Sequence, residues 1–241
     1  YGQTLKKHCL DEGIDISESI VSSKHSTATY LSINNQSGDM EIAIADTDIM
    51  DEITPDIIAE KHDYIEKADC IVVDTNLSSE TLDFISMNYE HKALFIDLVS
   101  TTKAKKASSF LGRFHTIKPN VLEAENLTGV IYKTPEDLKT MLQFFMNQGI
   151  KQVFITHGEE GCFYGNVTEF STFFTRTSKI VNSSGAGDAF MAGLVFSHLN
   201  DYHMKETATF ATAMSQAALQ STEAVNPQLN LALVNRIRQD L

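Results

Sequence analysis

The chain has 241 residues and a formal net charge of −13, long enough to bury a substantial core and too acidic for a nucleic-acid or anionic-membrane surface. Its cysteines, Cys9, Cys70 and Cys162, are far apart, odd in number and without metal-ligand spacing, so they read as buried thiols of a reducing compartment. No apolar run approaches membrane-spanning length and no signal-peptide pattern opens the chain, so the expectation is a cytoplasmic protein with neither membrane nor nucleic-acid partner.

In chain order, Tyr1 to Leu10 reads as a helix that ends near Gly13. Ser26 to Ile33 is β-branched and aromatic, a turn follows from Asn34 to Asp39, and Met40, Ile42 and Ile44 then alternate with Glu41, Ala43 and Ala45. That is a hairpin pattern. A hairpin with one apolar face needs a partner, so it covers a site, packs on another subunit, or edges the main sheet. From residue 54 the rhythm changes. Thr54 caps a helix with Pro55 in its first turn. Cys70 to Asp74 is a short buried strand, and Ser78 or Ser79 caps the helix after it. Ala93 to Asp97 is the next strand, followed by a helix over Lys103 to Leu111. His115 to Lys118 is a third strand, running into Pro119 and Asn120. A helix opens at Thr134 and reaches Asn147, and Gln152 to Thr156 is a fourth strand. Helices over Lys205 to Gln220 and Gln228 to Leu241 pack on the sheet. Strands alternating with amphipathic helices predict an α/β fold with a mostly parallel sheet covered on both faces. Ligands bind beyond the carboxyl ends of such strands, which gathers Asp74, Asn76, Asp97, Asn120, Thr156 and Gly158 along one edge.

Four segments at that edge could carry chemistry. Asn182 to Leu194 places Gly185, Ala186 and Gly187 before Asp188 at the start of a helix nearly free of bulk. Bare backbone N–H groups at a helix N-terminus make an anion site, and Asp188 at its lip could accept a proton from a hydroxyl. A tight turn capped by Asp reads the same pattern equally well. Asn120 and Glu123 lie one helical turn apart and could hold the water shell of a magnesium ion; an Asn cap with an acidic first turn is the plainer alternative. Thr156, Gly158 and Gly161 form a turn against which a nucleotide could lie, or a simple β-hairpin. Lys103 could reach phosphates or be a solvated helix residue, and His157 reads as structural.

The order of these segments resembles the PfkB (ribokinase-like) carbohydrate and nucleoside kinases over essentially the whole chain. Asn182 to Leu194 is similar to that family's C-terminal signature, Asn120 with Glu123 to its magnesium- and phosphate-associated motif, and Thr156 to Gly161 to its nucleotide-binding turn. Within the family the likeness is greatest to the pseudouridine kinases, on Thr27 to Tyr30, Ser37 to Met40, Asp74 to Ser78, Asp97 to Lys103, Thr116 to Asn120, Glu123 to Glu125 and Val225 to Pro227. The resemblance implies a ribokinase-like three-layer fold: an α/β domain over residues 1–20 and 47–241, its N-terminal portion missing, and a β-hairpin lid over 21–46 that also forms a homodimer surface. It implies an ATP-dependent kinase for the 5′ hydroxyl of a nucleoside, pseudouridine first, with other sugar or nucleoside kinases and a non-catalytic nucleotide-binding member as alternatives.

Asp188 would be the base, and Gly185, Ala186 and Gly187 the anion hole. Asn120 and Glu123 would position Mg2+ through water. Thr156, Gly158, Gly161, Ala218 and Asn226 would surround ATP, with Thr27, Thr29, Asn76 and Lys103 at the acceptor. Two departures stand out. The family's opening strand, with its substrate-binding aspartate, has no counterpart here, because Tyr1-Gly2 is similar to an interior segment. Asn182 stands where an acidic residue is usual beside a monovalent-cation site, so potassium stays an open expectation.

Overall fold

The computed structural model describes residues 1–34, 40–173 and 180–241. Helix α1 (Gly2–Asp11) precedes strands β1 (Thr29–Asn34) and β2 (Met40–Asp46), which form an antiparallel two-stranded sheet of their own. The hairpin is therefore not an edge of the main sheet. Its first strand begins at Thr29 rather than Ser26, and the expected turn falls largely on residues outside those described. Pairing sets Leu31 opposite Ile44 and Ile33 opposite Ile42. These four side chains share one face and are between 48% and 60% exposed, so among the described residues that apolar face has no cover.

Helices α2 (Pro55–Glu60) and α3 (His62–Ile65) lead into the alternating region. Thr54 caps α2 by accepting the Ile57 N–H, and Pro55 occupies the first turn, where no N–H is required. There follow β3 (Cys70–Asp74), α4 (Ser79–Asn88), β4 (Ala93–Asp97), α5 (Thr101–Ala104) and β5 (Thr116–Ile117). Next come α6 (Val121–Thr128), α7 (Pro135–Asn147), β6 (Gln152–Thr156), β7 (Cys162–Gly165) and β8 (Phe170–Phe173). Helices α8 (Ala186–Leu199), α9 (Met204–Leu219) and α10 (Leu231–Asp240) complete the described chain. No helix among the described residues is long and apolar enough to cross a membrane.

The main sheet has six strands in the order β3-β4-β5-β6-β7-β8. The pairs from β3 to β6 are parallel, and β6-β7 and β7-β8 are antiparallel. Side-chain alternation along each strand divides the core into two layers. Leu94, Ile96, Val153 and Ile155 face the layer that includes α4, α6 and α7, whereas Phe95 and Phe154 face α8 and α9.

Three local expectations are corrected. β3 is not a buried strand: at the end of the sheet order, only Val73 is buried and Val72 is 49% exposed. The helix expected over Lys103 to Leu111 is instead the short α5 followed by 3-10 turns at Lys105–Ala107 and Leu111–Arg113. In the second of these turns Gly112 abuts the Gln148 carbonyl so closely that a Cβ would lie 1.8 Å from it. β5 is only two residues long, because Pro119 lacks the N–H that would extend the ladder.

Helix α8 is held close to α9 through Gly193, where an added Cβ would lie 2.6 Å from the Ala211 Cα. Backbone rather than a flexible side chain is the obstacle. Gly193→Ala should therefore destabilise the protein by roughly 1–3 kcal/mol, although alanine is the better helix former by about 1 kcal/mol. Urea unfolding would measure it, and a stabilised variant would show that the two helices can separate at no cost.

Candidate active site

Four parallel strands end at one edge of the sheet. The register pairs Asp74 with Asp97, and an isolated parallel bridge pairs Asn120 with Thr156 just beyond Pro119. At the β3 end, Asp74 Oδ2 accepts from Asn76 Nδ2 at 2.8 Å, and Lys103 Nζ donates to Asn76 Oδ1 at 2.6 Å. Lys103 is thus part of a polar chain rather than a solvated helix residue, and the Asn76 amide is oriented from both ends. At the β4 end, Val99 adopts φ 59°, a left-handed conformation that a β-branched residue rarely takes. Its N–H donates to Asp97 Oδ1 at 3.2 Å, which ties the strained residue to the site carboxylate.

Helix α8 starts at the same edge. Its N-cap, Gly185, has φ 78°, and a Cβ there would lie 1.9 Å from the Ala224 carbonyl oxygen. Both the left-handed backbone and the close approach demand glycine. The segment after α9 thus presses the turn into shape from behind. Asn182 Nδ2 donates to the Thr222 carbonyl at 3.1 Å and its Oδ1 accepts the Ser184 N–H at 3.0 Å. The loop therefore offers a neutral, engaged amide where a carboxylate would offer charge to a monovalent cation.

Asp188 sits in the first turn of α8. Partial burial raises its pKa above the ordinary carboxylate range; Asp97 and Asp74 push the same way, while Lys118 opposes them. The Asp188 side chain still reaches open surface, so its desolvation comes from protein bulk around it rather than from full enclosure.

Lys118, just past β5, reads from sequence as the end of a strand and as part of the Thr116 to Asn120 likeness, with no chemical role. It is 6% exposed, and its Nζ stands 3.1 Å from Asp97 Oδ2. A Cβ on Gly187 would lie 3.4 Å from that same nitrogen. The available signal was a lysine at the end of a short strand, immediately before Pro119. Such a lysine at a ligand-binding edge must find an anionic partner.

Asn120 and Glu123 form a reciprocal capping box: Asn120 Oδ1 accepts the Glu123 N–H at 2.8 Å, and Glu123 Oε2 accepts the Asn120 N–H at 2.9 Å. The plainer reading of that spacing is realised. Glu123 is nonetheless 4% exposed, and burial raises its pKa, opposed by the Asn120 N–H and Lys118. Among the described residues no group of three or more His, Cys, Asp or Glu side chains is placed to hold a metal by itself. The donor set suits a hydrated magnesium ion carried on phosphate oxygens, not a protein-caged ion.

A cavity of about 270 Å³ opens beside the α8 turn. Thr156, Gly158 and Gly161 line one side, Ser183, Ala186 and Gly187 the end, and Thr212, Ser215, Gln216 and Leu219 of α9 the other side. Thr156 to Gly161 is also the antiparallel β6-β7 connection, through a 3-10 turn at Gly158–Glu160, so hairpin and cavity wall coincide. Ala218 and Asn226 are not among the residues that line the cavity. Helical periodicity turns Ala218 into the core at 2% exposure. The Asn226 side chain donates to the Ala217 carbonyl at 2.6 Å and accepts the Gln228 N–H at 2.9 Å. Thr27 and Thr29 make their contacts elsewhere, Thr27 against Gly2 and Thr29 Oγ1 on the Thr27 carbonyl. His157 pairs with Glu160 and packs on Tyr132, a structural arrangement.

Comparison with known proteins agrees with this geometry. The family model for pfkB family carbohydrate kinases matches residues 1–230. Pseudouridine kinase of Escherichia coli K12 is 32% identical over 235 residues, covering 97% of this chain and 75% of that protein. A Clostridium perfringens protein designated a sugar kinase has a crystal structure that superposes with a TM-score of 0.87 at 31% identity, over 99% of this chain and 76% of that one. An E. coli protein designated ribokinase II, solved in complex with ATP and Mg2+, superposes with a TM-score of 0.84 over 100% of this chain and 80% of that one; at 15% identity this is a likeness of fold alone. The chain belongs to the PfkB family of carbohydrate kinases, ATP-dependent phosphotransferases with a ribokinase-like fold.

Proposed function

We propose that the protein transfers the γ-phosphoryl group of ATP to the primary 5′ hydroxyl of a nucleoside, pseudouridine first. The observation that carries this reading is the placement of Asp188 at the α8 turn, between the cavity lined by Thr156, Gly158 and Gly161 and the carboxylate edge formed by Asp74 and Asp97. ATP would occupy the cavity, with its terminal phosphoryl group at the N–H groups of Gly185, Ala186 and Gly187. Glu123 and Asn120 would hold the water shell of Mg2+, which when bound offsets phosphate charge. Asp188 takes the acceptor's proton as the acceptor oxygen bonds to the γ-phosphorus; the bond to the β–γ bridging oxygen breaks with its electron pair, releasing ADP.

The acceptor side is rich in carboxylates. Asp74 and Asp97 lie in register, and both act electrostatically on Asp188. Such an edge repels an acceptor that is already phosphorylated and favours a neutral polyol or nucleoside. The oriented Asn76 amide and Lys103 would read its polar groups, and the likeness to pseudouridine kinase supports a nucleoside. Initial rates of full-length protein with pseudouridine, uridine, adenosine, ribose and fructose 6-phosphate test this. The highest kcat/KM should fall on pseudouridine and the lowest on the sugar phosphate; preference for the sugar phosphate would overturn the reading.

Asp188→Asn should lower kcat by about 10²–10⁴-fold, the range for loss of a general base, and leave ATP affinity by calorimetry nearly unchanged. Normal turnover in this variant would exclude Asp188 as base. Because the working form is the carboxylate and its pKa is raised, the acid limb of kcat/KM should lie above the ordinary carboxylate range. An acid limb in the usual range would argue that a different, unperturbed group is being titrated.

The hairpin over residues 21–46 is proposed as a lid over the acceptor, and its exposed apolar face as a homodimer surface. Deleting it should weaken acceptor binding and raise ATP hydrolysis relative to transfer, with ATP affinity unchanged. Mass measured in solution alongside would report the dimer. Unaltered coupling and acceptor affinity would return the hairpin to a purely structural role.

A further inference from the structure

Lys118 has a simple explanation as the partner of Asp97, but its position asks more of it. The ammonium is 6% exposed, and the Asp97 carboxylate lies 3.1 Å away. An ammonium carries three N–H donors, and one carboxylate oxygen uses one of them. The nitrogen also stands 3.4 Å from where a Cβ of Gly187 would be. It therefore lies beside the glycine turn at which the N–H groups of α8 converge. A Cβ at 187 would stand in van der Waals contact with it.

Charge gives a second, independent reason. Asp97 pairs with Lys118, and Lys118 acts electrostatically on both Glu123 and Asp188. The helix N-terminus supplies only about half a positive charge. Lys103 stands at the β3 end of the edge, where its Nζ donates to Asn76 Oδ1. A phosphoryl group entering among these carboxylates needs a full positive charge at close range, and Lys118 is the ammonium in place.

We infer that Lys118 is a catalytic residue whose ammonium contacts the transferring phosphoryl group at the Gly187 turn, sharing it with the backbone N–H groups, while Asp97 holds the ammonium in position between turnovers. The inference rests on the kinase reading above and goes beyond its general base and anion hole. Lys118 exchanges no proton: the acceptor's proton goes to Asp188, the new bond forms between acceptor oxygen and γ-phosphorus, and the leaving electron pair stays on ADP. Stabilisation is electrostatic and grows as charge spreads over the transferring oxygens.

The experiment compares full-length wild type, Lys118→Met, Lys118→Arg and the double variant Asp97→Asn/Lys118→Met. Calorimetry measures affinity for ADP and for the non-hydrolysable analogue AMP-PNP, both with Mg2+, and steady-state kinetics separates kcat from KM. Lys118→Met should lose about tenfold or more in AMP-PNP affinity, with ADP affinity little changed and kcat lowered by about 10²–10³-fold. Lys118→Arg should recover part of both. If Lys118→Met fails to fold, the double variant, which leaves no unpaired charge at position 97, carries the test and should remain defective for AMP-PNP. Recovery of AMP-PNP affinity and turnover in the double variant would overturn the inference, since Lys118 would then only neutralise Asp97. Equal loss of ADP and AMP-PNP affinity would overturn it as well. If wild type binds neither nucleotide, the kinase reading itself fails and this inference falls with it.

Discussion

The ion pair between Lys118 and Asp97 joins the ends of two neighbouring strands at the spot where helix α8 begins. Both side chains are largely withdrawn from water, at 8% and 17% exposure. Leaving either partner alone in such a setting costs about 3–5 kcal/mol, far more than a surface pair is worth. The pair therefore requires the β4-β5 register that brings the strand ends together, and it fixes a positive charge beneath the glycine turn. Glu123 and Asp188 both feel that charge. The electrostatics of the edge are balanced around one ammonium.

Several backbone devices serve this arrangement. Pro119 ends the β5 ladder and releases the chain into α6, whose capping box spends the Asn120 side chain and one Glu123 oxygen on their own helix end. The Asn120–Thr156 bridge continues the β5-β6 pairing past the proline and places Thr156 at the cavity mouth. Ala224 closes over Gly185 from behind and Gly193 lets α9 approach α8, so the helix that carries Asp188 is held on two sides. The hairpin forms its own sheet, and among the described residues its apolar cross-strand pairs are exposed. In the lid role proposed for it, the hairpin would keep water from a reactive phosphoryl group.

Much of this was legible along the chain because it depends on partners only a few residues away. The cap at Thr54, the one at Ser78 or Ser79, and the helix start at Thr134 could be placed because a capping side chain reaches a backbone N–H within its own first turn. The apolar strands ending at Asp74, Asp97 and Thr156, alternating with helices, were enough for a parallel α/β sheet and for the edge at which a ligand binds. The glycines before Asp188 marked the helix N-terminus, since few other residues permit that turn. What sequence left open were the choices between paired readings, whether Asn120 and Glu123 cap or coordinate, and whether Thr156 to Gly161 is hairpin or nucleotide wall.

Tertiary structure decided everything that joins distant segments. Lys118 reads locally as a strand residue and gains its place only when β5 lies beside β4 and α8 packs across their ends. Lys103 becomes part of a polar chain only through Asn76, on another strand's loop. The expected helix over Lys103 to Leu111 gives way after Ala104, and the chain that follows brings Gly112 against the Gln148 carbonyl, on a segment distant in sequence. Ala218 lies near the cavity in sequence yet faces away from it, because one step along a helix turns a side chain by about 100°. Capping, periodicity and turn geometry act over a few bonds and can be read from the chain, whereas the meeting of charges and the closeness of backbones depend on which elements pack together in space.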